Sequence, residues 1–295
     1  MKIRDMFKEK SPTVSFEVFP PKKDYPIESI YKTIDKLQDL KPDFISVTYG
    51  AGGSRQDHTL DIASTIKSKY KIETIAHLTC LTSKRETVEE TLDNLKKLNV
   101  ENVLALRGDI PTDIKYDKNW SPSYKYAYEL IDQINKKGGF SVGGACYPEG
   151  HIESTNKIDD LKYLKRKTDL GLDFLITQLF FDNDLFYQFK EKLQLMDIET
   201  PVIAGILPVI NINQMKHIQK LSGCNLPPKF LRILDKYEHS PKALQEAGVA
   251  YAVDQIIDLM SYDIEGIHIY TMNKPEITRE IMGSIKNIRK TLNVV

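Results

Sequence analysis

The chain has 295 residues, 41% of them hydrophobic, with 41 basic and 41 acidic side chains. This length and composition can bury a large core, and no linker or low-complexity run divides the sequence, so we expect one domain over residues 1–295. The balanced charge argues against a nucleic-acid partner. No window reaches the ~20 apolar residues of a membrane span, and the N-terminus lacks the apolar core of a signal peptide. We therefore expect a cytoplasmic protein with no membrane partner.

The cysteines do not suggest a disulfide framework or a metal site. Cys80, Cys146 and Cys224 are odd in number and far apart, which favours buried thiols. His77 lies three residues before Cys80, but no second pair with zinc-ligand spacing exists. We expect no bound metal.

Eight segments have the composition of strands, and helical-length amphipathic segments separate most of them. The strand segments are 13–21, 43–49, 72–77, 102–109, 140–147, 173–178, 201–206 and 266–271. The helical segments are 27–40, 59–70, 85–98, 124–137, 155–170, 185–195, 213–221 and 276–292. This count predicts an α/β fold, a single-domain (β/α)8 TIM barrel, which typically needs ~250 residues. A doubly wound sheet would show a glycine fingerprint after the first strand, where Phe19-Pro-Pro21 stands instead.

Polar side chains at the strand ends predict a site, because TIM barrels carry their active sites at the C-terminal ends of the strands. We expect one mouth to hold Glu17, Thr48, His77, Asp109, Tyr147 and Gln178. Glu17 is the most informative of these, since a carboxylate inside an apolar strand is costly unless it is paired or used. It is either a salt-bridged or surface carboxylate, or a general acid whose pKa is raised by apolar surroundings.

Glycines and basic residues suggest that the ligand is large. Glycines near the same mouth would let a planar ligand approach the backbone, at positions Gly50, Gly52, Gly53, Gly108, Gly143 and Gly144. The helix at 155–170 carries the basic residues Lys162, Lys165, Arg166 and Lys167. These are either a solvated basic face or a site for the phosphorylated tail of a cofactor.

Eight motifs, in order, resemble the signatures of the methylenetetrahydrofolate reductase family. They are Ser15-Phe-Glu-Val-Phe-Pro-Pro-Lys22, Val47-Thr-Tyr-Gly-Ala-Gly-Gly53, Ala76-His-Leu-Thr-Cys80, Ala105-Leu-Arg-Gly-Asp109, Tyr147-Pro-Glu-Gly-His151, Leu164-Lys-Arg-Lys-Thr-Asp169, Ile176-Thr-Gln-Leu-Phe-Phe-Asp182 and Gly205-Ile-Leu-Pro-Val209. The resemblance implies a flavin-bearing (β/α)8 barrel. The length is similar to that of the short bacterial form, without a C-terminal regulatory domain.

The resemblance also implies a reaction. A reduced nicotinamide nucleotide, NADH or NADPH, would reduce bound FAD, and FAD would then reduce 5,10-methylenetetrahydrofolate to 5-methyltetrahydrofolate in a ping-pong sequence. Glu17 would be the acid that protonates N10 of the folate. Asp109 would stabilise the resulting cation and contact both flavin and folate. Thr48, Gln178 and Lys274 would complete the substrate site.

The remaining positions implied by the family concern FAD. They are Tyr49, Ala51, His77, Arg107, Gly108, Asp109, Tyr126, Ala127, Ala145, Tyr147, His151, Asp160, Arg166 and Lys167, with Arg166 and Lys167 meeting the pyrophosphate. Tyr163 and Leu172 depart from residues that relatives have near the flavin, so the flavin affinity stays open. Ile212 stands where certain bacterial members have an aromatic residue that stacks on the nucleotide, so the preference between NADH, NADPH and a protein electron donor stays open. A homo-oligomer is expected. Two alternatives remain: a non-catalytic flavin- or folate-binding subunit of an electron-transfer complex, and another pterin-dependent barrel enzyme.

Overall fold

Eight parallel strands form a closed barrel in the computed structural model, which describes residues 1–21, 25–49, 56–109 and 121–292. Each strand pairs with its neighbours in sequence, and the first also pairs with the last. The predicted TIM barrel is confirmed. The strands are β1 (Thr13–Val18), β2 (Phe44–Val47), β3 (Glu73–Thr79), β4 (Asn102–Leu106), β5 (Ser141–Cys146), β6 (Phe174–Thr177), β7 (Val202–Ile206) and β8 (Gly266–Tyr270).

Helices connect the strands, and the described residues include several that the amphipathic pattern did not predict. The helices are α1 (Ile3–Glu9), α2 (Glu28–Gln38), α3 (Gln56–Tyr70), α4 (Arg85–Lys97), α5 (Ala127–Lys137), α6 (Lys157–Asp169), α7 (Asn183–Leu195), α8 (Ile212–Ser222), α9 (Pro228–Tyr237), α10 (Pro241–Met260), α11 (Pro275–Ser284) and α12 (Lys286–Leu292). The prediction missed α1, α9 and α10, and the single helix expected at 276–292 is interrupted at Ile285. None of the described helices is long and apolar enough to cross a bilayer.

The interior of the barrel is apolar at its N-terminal end. Phe44, Leu104 and Phe174 belong to one buried cluster with Ile3 and Met6 of α1. Helix α1 therefore closes this end of the barrel. The opposite end of the barrel is where polar side chains can reach solvent.

Two glycines of β5 serve packing and not ligand approach, which corrects one prediction. A Cβ on Gly143 would lie 2.3 Å from Cε2 of Phe174, and a Cβ on Gly144 would lie 2.7 Å from Cδ1 of Leu172. Both distances are far inside van der Waals contact, so the missing side chains make room for neighbouring hydrophobic residues. Gly50, Gly52 and Gly53 lie outside the described residues.

The first and last strands are joined by more than the sheet ladder. Asn273, in the loop after β8, accepts a hydrogen bond from the Phe19 backbone N–H at 3.1 Å and donates one to the Phe19 carbonyl at 2.8 Å. Asn273 has a φ of +54°, which asparagine tolerates better than most residues. The Thr271 hydroxyl also donates to the Glu17 carbonyl at 2.6 Å. These bonds fix the end of β1, where Glu17 lies.

Candidate active site

Glu17 faces two histidines inside the barrel. Its Oε2 atom lies 3.6 Å from Nε2 of His77 on β3 and 3.9 Å from Nε2 of His268 on β8. The Glu17 side chain is 19% exposed, so it is largely buried but reaches the mouth. The surroundings of the Glu17 carboxyl group are therefore less apolar than the sequence predicted, because two imidazole rings from other strands lie where hydrophobic side chains were expected.

His268 is a site residue that the sequence analysis missed. It is fully buried, and its ring stacks on Phe44 and meets Tyr270 edge-on. Nδ1 lies 2.7 Å from Oγ of Ser15, and Nε2 lies 3.2 Å from Oγ of Ser46. The available signal was the alternation of β8, which places His268 on the same face as Tyr270.

His77 is held in its neutral form by burial. Its side chain is 5% exposed, and removal from water lowers its pKa from the ordinary 6.5 to about 4, although Glu17 acts in the opposite direction. Nε2 has no hydrogen-bond partner among the described residues. A buried and unpaired polar nitrogen at the mouth is a natural contact for a bound ligand.

This depressed pKa predicts an acid sensitivity of folding. Between about pH 6.5 and pH 4 the unfolded state binds a proton at His77 and the folded state does not, so stability falls as the pH falls. Relative to the His77→Gln variant, the protein should lose about 3 kcal/mol more of its free energy of unfolding over this window. Urea denaturation at several pH values measures the difference. Parallel curves for the two proteins would contradict the assignment.

A cavity of about 330 Å³ opens beside the mouth, between the ends of β4 and β5 and helices α5 and α6. Its volume lies within the range of small-molecule sites, roughly 300–1,000 Å³. The lining residues are Leu106, Arg107, Tyr126, Ala127, Tyr128, Ala145, Tyr147, His151, Glu153, Ser154, Thr155, Asp159, Asp160, Tyr163 and Lys167. The structure thus brings together eight of the positions expected to contact FAD: Arg107, Tyr126, Ala127, Ala145, Tyr147, His151, Asp160 and Lys167.

An aromatic stack forms one wall of this cavity. The Tyr126 ring lies between those of Tyr128 and Tyr163, at centroid distances of 5.5 and 5.3 Å, with planes within 16° and 23°. The Arg166 guanidinium lies 3.7 Å from the centre of the Tyr128 ring. Arg166 therefore packs against the tyrosine stack and is not among the residues that line the cavity. Lys167, which was predicted to bind the pyrophosphate together with Arg166, does line it.

A salt bridge connects two sides of the cavity. Nη1 of Arg107, after β4, lies 2.5 Å from Oε2 of Glu153, in the loop between β5 and α6. The Tyr147 ring meets the His151 ring edge-on at 4.7 Å. Burial raises the pKa of Tyr147 to about 12, and burial together with the positive charge of Arg107 lowers the pKa of His151. Both side chains are therefore neutral near pH 7.

Lys167 and Asp160 place opposite charges in the floor of the cavity. Lys167 donates from Nζ to the Ala145 carbonyl at 2.6 Å, and burial lowers its pKa. Burial raises the pKa of Asp160, whereas the charge of Lys167 opposes that effect. An ammonium group has three donors, and the Ala145 carbonyl is the one acceptor that Lys167 meets in the described part of the chain, so two donors are available to an anionic ligand.

The other predicted site residues that the structure describes come at the ends of their strands and are not among the residues that line the cavity. Thr48 binds neighbouring backbone, its N–H donating to Val18 and its carbonyl accepting from Thr59. Gln178 accepts from the Leu179 N–H through Oε1. Tyr49 packs against the core, and Gly108, with a φ of +81°, lies beside Thr79. The side chains of Asp109 and Lys274 are exposed. Ala51 lies outside the described residues.

A closed eight-stranded barrel with polar side chains and a cavity at one mouth has the architecture of a TIM-barrel enzyme. The family model described as methylenetetrahydrofolate reductase matches residues 2–286 of this chain. The chain therefore belongs to the methylenetetrahydrofolate reductase family, whose named members are oxidoreductases. The resemblance inferred from the eight motifs is confirmed.

The chain aligns with nearly the full length of a bacterial relative but with only half of a plant relative. The 5,10-methylenetetrahydrofolate reductase of Pectobacterium carotovorum is 33% identical, over 92% of this chain and 89% of the relative. The methylenetetrahydrofolate reductase (NADH) 1 of Arabidopsis thaliana is 30% identical, over 97% of this chain and 50% of the relative. The chain thus spans about half the length of the plant protein.

A solved structure shows the same fold at low sequence identity. It is an uncharacterised protein from Clostridium thermocellum that binds two copies of 5-methyl-5,6,7,8-tetrahydrofolic acid. The TM-score is 0.66 with 15% identity, and the match covers 99% of this chain and 100% of the other. At this identity the likeness concerns the fold alone.

Proposed function

We propose that this protein reduces 5,10-methylenetetrahydrofolate to 5-methyltetrahydrofolate, with FAD as bound cofactor and NADH or NADPH as the source of electrons. Family membership supports the reaction class. The observation that carries the proposal is the carboxyl group of Glu17, largely buried at the barrel mouth within 4 Å of two imidazole nitrogens. A barrel that only bound folate would have no need of a buried acid there.

The chemistry of the cavity suits one end of FAD. Tyr163, at one end of the tyrosine stack, offers a ring face to a planar heteroaromatic group, and Lys167 offers N–H donors to a phosphate. Nε2 of His77, which has no hydrogen-bond partner among the described residues, lies 3.6 Å from Oε2 of Glu17 and would be a further contact for the ligand. When bound, FAD would supply the hydride that the one-carbon unit accepts.

The protein's own groups would handle the proton and the charge. Glu17 would transfer its proton to N10 of the folate, the bond between N10 and the methylene carbon would break, and a cation would remain at N5. The exposed carboxylate of Asp109 would stabilise that cation. Gln178 and Thr48 would orient the substrate, and the exposed Lys274 would attract its acidic tail.

Flavin absorbance tests the proposed function directly. The purified protein, incubated with FAD and passed through a desalting column, should keep a yellow chromophore. NADH or NADPH should bleach it under anaerobic conditions, and 5,10-methylenetetrahydrofolate should restore the colour with formation of 5-methyltetrahydrofolate. Flavin that bleaches but is not restored by the folate would indicate one of the alternative functions, and absence of retained flavin would overturn the proposal.

Lys167 and Arg166 provide a matched pair for the cofactor site. Because Lys167 lines the cavity, Lys167→Met should raise the FAD dissociation constant by about 10- to 100-fold, as expected for one charge-assisted hydrogen bond of about 1.5 to 3 kcal/mol. Arg166→Met removes a similar charge from the Tyr128 ring and should change the constant by less than about threefold. Quenching of FAD fluorescence measures both. Equal losses would favour the two-residue pyrophosphate site predicted from the sequence.

A further inference from the structure

The charges around the cavity are not those of a simple anion site, although the proposed cofactor carries a diphosphate. The described residues that line the cavity include two cationic side chains, Arg107 and Lys167. They also include three acids, Glu153, Asp159 and Asp160. Like charges repel strongly where water is partly excluded, so an ionised acid in this lining weakens the binding of a phosphate. We therefore asked which of the acids a phosphate would have to displace.

Glu153 is the acid that meets a cation of the cavity directly. Its Oε2 atom lies 2.5 Å from Nη1 of Arg107, and this contact is the main reason that the pKa of Arg107 is raised. The planar fork of a guanidinium binds a carboxylate and a phosphate in the same way. The Glu153 carboxylate thus uses donors of Arg107 that a phosphate would otherwise take.

The Glu153 side chain can leave Arg107 without movement of the loop that carries it. The side chain is 53% exposed, so its carboxylate can rotate into solvent at a small cost of desolvation. The backbone around it is fixed, because the N–H of Glu153 donates to Nδ1 of His151 at 3.1 Å and the N–H of Ser154 donates to the His151 carbonyl at 2.9 Å. The loop is also tied to the segment before α9, where the Asn225 N–H donates to Oε2 of Glu149 at 3.0 Å.

From these contacts we propose that Glu153 is a gate on the phosphate side of the cavity. Its carboxylate neutralises Arg107 until an anionic cofactor arrives, and the side chain then rotates into solvent while a phosphate takes its place. The pair avoids the cost of a half-buried cation without a counter-charge, and the same pair lowers the affinity for the cofactor. This inference rests on the proposed function, in which FAD is bound, and it assigns an opposing role to a residue beside the site.

The test is a titration of the Glu153→Gln variant with FAD, followed by quenching of flavin fluorescence. Glutamine keeps the length of the side chain but not its charge, so FAD should bind about three- to fivefold more tightly than to the wild type, as expected for a partly exposed ion pair. The salt bridge is screened by salt, so in about 0.5 M sodium chloride the gain should fall below about twofold. A higher affinity after loss of a residue that lines the cavity is not expected of a merely structural role.

Two control variants separate the ion pair from the general charge of the cavity. Asp159→Asn removes the same charge from the lining, but the Asp159 carboxylate accepts from Nδ2 of Asn156 at 2.7 Å and lies 3.5 Å from Nζ of Lys162. Its effect on the FAD dissociation constant should stay below about twofold. In an Arg107→Met background, Glu153→Gln should likewise change the constant by less than about twofold, because no guanidinium remains to be released.

Each outcome decides for or against the gate. Unchanged or weaker FAD binding by Glu153→Gln would overturn it, since Glu153 would then have no effect on Arg107 or would orient it for the ligand. An equal gain in Asp159→Asn, or an undiminished gain in the Arg107→Met background, would also overturn it in favour of a general charge effect. A gain confined to the ion pair, together with a bound flavin that the folate does not reoxidise, would overturn the proposed reaction and leave the gate in place.

Discussion

Replacing Glu17 with glutamine should decrease the reduction of 5,10-methylenetetrahydrofolate by about 10²- to 10⁴-fold, the usual contribution of a general acid. Glutamine keeps the shape of the side chain but has no proton to transfer to N10. Oxidation of the nicotinamide nucleotide delivers no proton to folate, so its rate with a quinone acceptor should stay within about threefold of normal. Comparing the two rates in one preparation measures the effect.

The comparison has an internal control in the cofactor content. Retention of FAD by Glu17→Gln shows that the barrel mouth is intact, which excludes general damage as the reason for a lost rate. If both rates fell equally, or neither fell, the proton would have to come from another group, for example through water held by Asp109.

A single methyl group on Gly248 should destabilise the protein severely. Gly248 lies in α10, and a Cβ there would come within 1.7 Å of the Val209 carbonyl oxygen, in the loop after β7. Backbone atoms on both sides must move to relieve such a clash. We expect Gly248→Ala to reduce the free energy of unfolding by about 3 kcal/mol or more, the upper part of the range for overpacked sites. Urea denaturation measures this loss.

Gly283 is the matched control, because it also lies in a helix, α11, but a Cβ there would meet nothing within 4 Å. Glycine is less favourable than alanine in helices, so Gly283→Ala should stabilise the protein by about 0.5 kcal/mol. The two substitutions are chemically identical and should have opposite signs. A stabilised Gly248→Ala variant would show that α10 does not contact the loop as described.

The strand pattern of the sequence was sufficient to predict the barrel, because each buried parallel strand is a short apolar run that local composition reveals. Of the three helices that escaped prediction, α9 has a clear amphipathic pattern that the prediction overlooked, whereas α1 and α10 lack one. Helix α10 is apolar on more than one side, since it packs against α7, α9 and α11, and a helix buried in this way has no amphipathic stripe. Helix α1 has seven residues, which is too short for a periodic pattern.

The site was predictable to the extent that its residues occur in motifs. Glu17 stands in one of the motifs that resemble the family, and so do five of the fifteen residues that line the cavity. His268 was missed because its neighbours Glu17, Ser15 and Ser46 are more than 200 residues away in sequence and approach it only when the barrel closes. The glycines of β5 were misinterpreted for a related reason, since only the structure shows that Phe174 and Leu172 occupy the space beside them.

The pairing of β1 with β8 has a consequence for synthesis of the chain. One edge of β1 obtains its partner only when residues 266–270 have been made, roughly 220 residues after β2 is complete. At 5–20 residues per second, that edge waits roughly 10 to 45 seconds on the ribosome. An open strand edge with apolar neighbours can pair with other chains. We therefore expect this edge of β1 to be exposed to such pairing until synthesis is nearly complete, and the proximity of His268 to Glu17 is among the last features to form.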